Sequence, residues 1–191
     1  MRFGRRPILW RKGFNVLKGG VRVGFLERFY PDHEADNAYE IAYEKLYGEG
    51  YRGVIFDIDN TLVPHGAPAD QQAQALFRRI HDMGYETLLL SNNREPRVKS
   101  FAESVAAGYI FKAGKPGRAG YVKAMEKMGT GPRNTLFVGD QLFTDVWGAK
   151  KAGITTYLVK PIHPKEEIQI VLKRKLERIV LFFYHRSDHR K

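Results

Sequence analysis

The chain of 191 residues contains no cysteine. That single absence removes disulfides, thiolate metal sites and a cysteine nucleophile, and it suits a reducing compartment. Long apolar runs are missing too: none approaches the ~18 residues that a membrane span needs. The apolar run at residues 7–10 is too short for the core of a secretory signal. A soluble or peripheral protein is expected, placed in the cytoplasm and, if membrane-associated, on the inner membrane face. Acid is lacking from residues 1–24, which carry seven Lys/Arg, while residues 160–191 hold nine basic residues against four acidic ones. Sixteen basic and seventeen acidic residues remain between them, so the net charge of +11 belongs to the two ends. Three segments follow: a basic N-terminal tail (1–24), a near-neutral core (25–160) and a basic, amphipathic C-terminal helix and tail (161–191).

The core alternates strand-like and helix-like patterns, which predicts an α/β, Rossmann-like fold with a parallel sheet flanked by helices. Residues 54–56 read as a strand buried on both faces, followed by Asp57-Ile58-Asp59-Asn60-Thr61-Leu62. Ligands of open α/β sheets bind beyond the carboxyl ends of the strands. Alternation would turn Asp57 and Asp59 to one side if the chain stayed extended. By itself the pair is equally compatible with a turn. Further strands are expected at 87–90, 109–111, 135–138 and 155–159. Helices are expected at about 36–46 with Asp36 as cap, at 70–83 on a stripe of Ala73, Leu76, Phe77 and Ile80, through Val98–Val105, from Pro116 to Met128, and through Val146–Ala152. His33 and His65 are read as surface residues.

The strand ends then carry Asp57 and Asp59, Ser91 and Asn92, Lys115 through its loop, and Asp140 and Asp145. A hydroxyl and backbone N–H groups ahead of a helix can hold a phosphoryl oxygen, and a Lys there can clamp it. Carboxylates, one cation and one hydroxyl make chemical sense together if the missing members are Mg²⁺ and a phosphate.

In these four stretches the sequence resembles the haloacid dehalogenase superfamily, in particular its cap-less class III phosphatases. Asp57–Leu62 is similar to the first motif of that superfamily, Ser91-Asn92 to the second, Lys115-Pro116 to the third and Gly139-Asp140 through Asp145 to the fourth. Within it, Asp-Asn-Thr-Leu-Val, Ser-Asn-Asn and Gly-Asp-Gln-Leu-Phe-Thr-Asp-Val resemble the YqeG family, related to phosphatidylglycerophosphate phosphatases of mitochondria and plastids. The long basic N-terminus has no counterpart in that resemblance. It implies Asp57 as nucleophile and Asp59 as acid and base. Ser91, Asn92 and Lys115 would lie on the phosphate, with Thr61 bracing the loop or donating to that phosphate. Mg²⁺ would be held by Asp57, Asp140 and the Asp59 carbonyl, with Asp145 orienting a metal-bound water or Lys115.

The connections after the first two core strands are too short for a lid domain, so the site is expected to be open to something large. The favoured partner is an anionic phospholipid headgroup, with peripheral association to an anionic membrane surface. The alternatives are a nucleic-acid end, a small phosphate ester or a non-catalytic interaction module. Basic residues interleaved with aromatics in 1–24 suit an anionic membrane, nucleic acid, a transit segment or a solvated tail. On the helix expected at 165–184, Ile168, Leu172, Leu176, Ile179 and Phe183 fall within about 80°. That stripe fits either a bilayer interface or the edge of the core, with Phe182, Phe183 and Tyr184 inserted there in the second case.

Overall fold

Strand β2, Gly53–Phe56, is buried along its whole length and forms the axis of the fold. The structure, a computed structural model, describes residues 23–163 and 168–187. The basic segment 1–24 lies almost wholly outside the described residues. On either side of β2 lie β3 (Glu86–Leu90) and β5 (Thr135–Gly139), then β4 (Gly108–Ile110) and β6 (Thr155–Val159). The last strand to join is β1 (His33–Ala35), giving the parallel order β1-β6-β5-β2-β3-β4.

Strand alternation sorts the core into two layers. Val54, Phe56, Leu89, Leu136 and Val138 face α2 (Tyr43–Gly48), α3 (Gln71–Asp82) and α4 (Glu95–Val105). Ile55, Leu88, Leu90 and Phe137 face α5 (Arg118–Met128) and α6 (Trp147–Lys151). The stripe Ala73, Leu76, Phe77 and Ile80 is buried on α3 as its spacing predicts, and the Asp70 carboxylate caps that helix by accepting from Ala73 N at 2.8 Å. A π-type turn, Leu142–Val146, leads into α6.

The sequence reading is corrected in the stretch before β2. No helix begins at Asp36: Asn37 accepts the N–H groups of Tyr39 and Glu40 through its side chain, a local turn that competes with helix, and α2 starts only at Tyr43. Ala38, Ile41 and Leu46 are still buried, whereas Ala42 is exposed. Strand β1 has no β-branched residue to announce it. It is made by tertiary contact, with the Asp32 carboxylate accepting from Thr156 N at 2.9 Å, Thr156 Oγ1 at 2.8 Å and Lys150 Nζ at 2.8 Å. Helix α5 likewise begins after Gly117, leaving Pro116 outside it.

The C-terminal helix α7 (Ile168–Arg186) runs over the π-type turn and the short helix α1 (Val23–Leu26) with its 3₁₀ continuation Glu27–Phe29. Val180 and Tyr184 are buried there with Phe29, Tyr30, Leu142 and Val146. Of the three aromatics that the core-edge alternative would insert, Tyr184 is buried and Phe182 and Phe183 are exposed. Among the described residues no helix is long and apolar enough to cross a membrane.

The seam between α5 and α6 depends on Gly148. A Cβ there would stand 2.4 Å from Tyr121 Oη, which donates to the carbonyl of Thr144 at 2.9 Å. Gly148→Ala is expected to lower stability by about 1–3 kcal/mol through overpacking. Thermal unfolding of the two proteins measures it.

Candidate active site

Asp57 follows β2 directly, and its N–H still joins the sheet by donating to Val138 O at 2.9 Å. Asp140 follows β5 in the same way, so the parallel register brings both carboxylates to one edge. Asp145 completes the group from the π-type turn; one oxygen from each of Asp57, Asp140 and Asp145 lies within 4.8 Å of the others. Such an all-oxygen cluster suits a hard divalent cation. Gly139 permits it: a Cβ at that position would stand 2.6 Å from Asp145 Oδ2. That oxygen accepts from Gln141 N at 3.1 Å, while Thr61 Oγ1 donates to Asp140 Oδ1 at 3.3 Å.

Lys115 enters between two of these carboxylates. Its Nζ is 2.7 Å from Asp57 Oδ1 and 2.7 Å from Asp145 Oδ1, with all three side chains buried. Asn92 delivers it: the Asn92 amide donates to Lys115 O at 3.0 Å and accepts from Lys115 N at 2.8 Å. Asn92, expected on the substrate, thus spends both ends of its side chain on the lysine loop. Ser91 sits at the end of β3, its Oγ accepting from Asn93 N at 3.1 Å. The Lys115–Pro116 peptide bond is cis.

Asp59 stands apart from this cluster. Its Oδ1 accepts from Gly66 N at 2.8 Å and Arg97 Nη2 at 3.0 Å, and its Oδ2 from Asn93 Nδ2 at 3.3 Å. The two aspartates, one residue apart on either side of Ile58, are driven in opposite directions. Burial pushes the Asp57 carboxyl up to about 6 against the pull of Lys115. Burial also acts to raise Asp59, but the Gly66 N–H, Arg97 and Asn93 outweigh it and hold that carboxyl below the ordinary value. For Lys115 the desolvation that would lower its pKa is overcome by Asp145 and Asp57, so it is held firmly cationic.

Sequence reasoning missed Gly66, Asn93 and Arg97. Arg97 shares the first turns of α4 with the buried Val98, and its guanidinium also lies 5.4 Å from the ring of Phe101. Only its position soon after Ser91-Asn92 could have drawn notice. His65, beside Gly66, is exposed, and His33 stacks on Tyr157 at 4.7 Å.

A family model described as haloacid dehalogenase-like hydrolase matches residues 67–153, a span that takes in Ser91, Lys115, Asp140 and Asp145. The chain is 34% identical over 162 residues to the Bacillus subtilis (strain 168) protein named "Probable phosphatase YqeG", covering 84% of this chain and 94% of that one. The chain belongs to this family of haloacid dehalogenase-like phosphatases. It is also 28% identical over 160 residues to "Phosphatidylglycerophosphate phosphatase 1, chloroplastic/mitochondrial" of Arabidopsis thaliana, covering 74% of this chain and 44% of that protein. The corresponding chloroplastic protein of Chlamydomonas reinhardtii is 26% identical over 158 residues, with 77% and 59% covered. The chain therefore spans about half the length of these plant and algal relatives. A solved structure of a hypothetical protein from Xanthomonas campestris shares the fold at a TM-score of 0.50 and 15% identity, over 71% of this chain and 76% of that one. In this member of the family, four strand-end segments meet at one edge of the sheet.

Lys115→Met is expected to strand two buried carboxylates and to cost about 3–5 kcal/mol of stability at pH 8. Lys115 is what holds the Asp57 carboxyl down to about 6, so without it Asp57 takes up its proton at higher pH, and the cost is smaller at pH 5 than at pH 8. Urea unfolding of both proteins at pH 8 and pH 5, without divalent cation, measures the difference.

Proposed function

We propose that this phosphatase is Mg²⁺-dependent, works through an aspartyl-phosphate on Asp57 and removes the terminal phosphate of phosphatidylglycerophosphate. The observation that carries the reading is the division of labour between Asp57, which faces Lys115, Asp140 and Asp145, and Asp59, which faces Arg97 and Gly66.

The charges fit a divalent cation. Four carboxylates, Asp57, Asp59, Asp140 and Asp145, stand against two side-chain cations, Lys115 and Arg97. Asp57 and Asp140 would hold the ion, while Asp145, engaged by Lys115 and Gln141 N, stands behind the lysine and fixes it. When bound, the ion supplies the positive charge that lets an anionic nucleophile approach an anionic ester.

Asp57 attacks phosphorus, forming the O–P bond of the aspartyl-phosphate as the ester O–P bond breaks. Ser91 and Lys115 hold the equatorial phosphoryl oxygens, where charge is concentrated. Asp59 gives a proton to the leaving alkoxide, then takes one from the water that attacks the aspartyl-phosphate. The contacts from Arg97 and Gly66 keep Asp59 ionised in the free site, the state required of a base. An incoming phosphate dianion beside it raises its affinity for the proton required of an acid.

Two observations support a lipid substrate. The plant and algal relatives carry that activity in their names. Residues 57–70 and 91–94, the connections that carry lids in enclosed sites, here contain no helix or sheet strand, so a headgroup still attached to a bilayer has access.

Phosphate release from phosphatidylglycerophosphate in mixed micelles, beside a phosphorylated oligonucleotide and glycerol 3-phosphate, tests the substrate, with Asp57→Asn as blank. Marked preference for the lipid is expected; equal or better turnover of the other two discards the lipid assignment. Asp59→Asn is expected to lose about 10²–10⁴-fold on alkyl phosphates, while the burst of p-nitrophenol that accompanies the first step on p-nitrophenyl phosphate, whose leaving group needs no proton, should slow far less. The Mg²⁺ concentration for half-maximal activity should rise as pH falls through about 6, since the proton on Asp57 competes with the ion.

A further inference from the structure

Helix α7 presents two unlike faces. Inward, Val180 and Tyr184 pack into the core, and Glu177 Oε1 accepts from Phe143 N at 3.2 Å. Outward, Leu176, Ile179 and Phe183 recur at helical spacing beside Phe182, and they are 53%, 53%, 38% and 50% exposed. Phe25, 54% exposed, sits 5.9 Å from Phe29 of the same cluster.

Cations accompany these exposed aromatics. The Arg186 guanidinium lies 4.3 Å from the ring of Phe182, Arg28 lies 4.2 Å from Phe25, and Lys151 Nζ lies 4.0 Å from Trp147, which packs edge-on to Phe29. Lys175 and Arg178 are exposed as well. Between residues 175 and 187 the acid is Glu177, and it is buried. His185 of α7 pairs with Glu34 at 3.0 Å.

We propose that the outward face of α7, with Phe25 and these cation–aromatic pairs, seats the protein on an anionic phospholipid bilayer. The proposal deepens the lipid-phosphatase reading and rests on it for its biological sense. Charge decides among the occupants. A second copy would bring a molecule of net charge +11 against the same cationic face, and residues 1–22 would bring seven basic residues and no acid. A polynucleotide would satisfy the cations but offer no hydrocarbon to Leu176 and Ile179. An anionic bilayer meets both requirements: acyl chains for the apolar stripe and headgroup phosphates for Arg and Lys. The face is tied to the site through a short path, since Phe143, which donates to Glu177, lies in the π-type turn between Asp140 and Asp145.

The test is co-flotation of the full chain with phosphatidylcholine vesicles made with or without phosphatidylglycerol, using Ile179→Glu as the variant. Wild-type protein is expected to float with the anionic vesicles and to stay behind with neutral ones. Ile179→Glu should weaken partition by about tenfold or more, the effect of removing one apolar side chain from hydrocarbon. Turnover of p-nitrophenyl phosphate should be unchanged. Leu176→Gln supplies an independent reading should Ile179→Glu lower the melting temperature. Failure of the wild-type chain to float, or equal binding by both variants, overturns the proposal. So does a concentration-dependent dimer that Ile179→Glu abolishes, which assigns the face to a second copy. Vesicle binding lost in the variants but without phosphate release from phosphatidylglycerophosphate upholds the docking face and removes only the substrate.

Discussion

Lys115 stands 2.7 Å from both Asp57 and Asp145, and the buried edge of the sheet depends on that contact. Three carboxylates converge on one another, two of them on Lys115, in a place nearly closed to water, where an unpaired charge is costly. The lysine is therefore fixed from behind as well as from the front. Asn92 holds its backbone at both the N–H and the carbonyl, and Gln141 N–H holds Asp145, the carboxylate that anchors it. Glycine at 139 lets Asp145 fold back this closely. Local backbone choices on three connections serve one ammonium group.

The same burial separates two aspartates that the sequence presents as near twins. Asp57 points into the sheet edge, loses solvation and keeps a proton to higher pH. Asp59 points toward the mouth, where a backbone N–H, an amide and a guanidinium all stabilise its ionised form. Environment separates identical side chains, which is what the two-step phosphoryl transfer we propose asks of them. Arg97 connects this mouth to α4, and Phe143 connects the far side of the site to α7.

The two faces of α7 follow from the one-sidedness of its support. The core beneath it ends at the π-type turn and at Phe29 and Tyr30, which can cover only the row through Glu177, Val180 and Tyr184. The remaining apolar row has nothing described above it, and the exposed charged residues of the helix around it, Lys175, Arg178 and Arg186, are basic. A helix that served only to close the core would gain nothing from leaving Leu176, Ile179 and Phe182 half in water.

Much of this was legible in the chain. Continuous apolar runs ending in Asp, Ser or Gly-Asp marked β2, β3 and β5 and the segments that follow them, because a parallel strand is buried on both faces and stops where polar chemistry starts. The stripe on α3 was equally plain, being set by side-chain spacing alone. Contacts between distant residues were not legible. Strand β1 exists because Asp32 is bound by Thr156 and Lys150, and the expected helix at 36–46 gave way to a turn at Asn37. The sequence determined that α7 is amphipathic, but it did not determine which row faces inward: the stripe through Leu176, Ile179 and Phe183 is the better periodic match, yet it lies outward. Arg97 and Asn93 reached Asp59 through folding alone. Periodicity and strand-end residues are properties of short stretches and survive in one dimension; which carboxylate is desolvated and which is solvated by donors depends on neighbours up to eighty-eight positions away, such as Asp145 from Asp57, and only the packed structure could decide it.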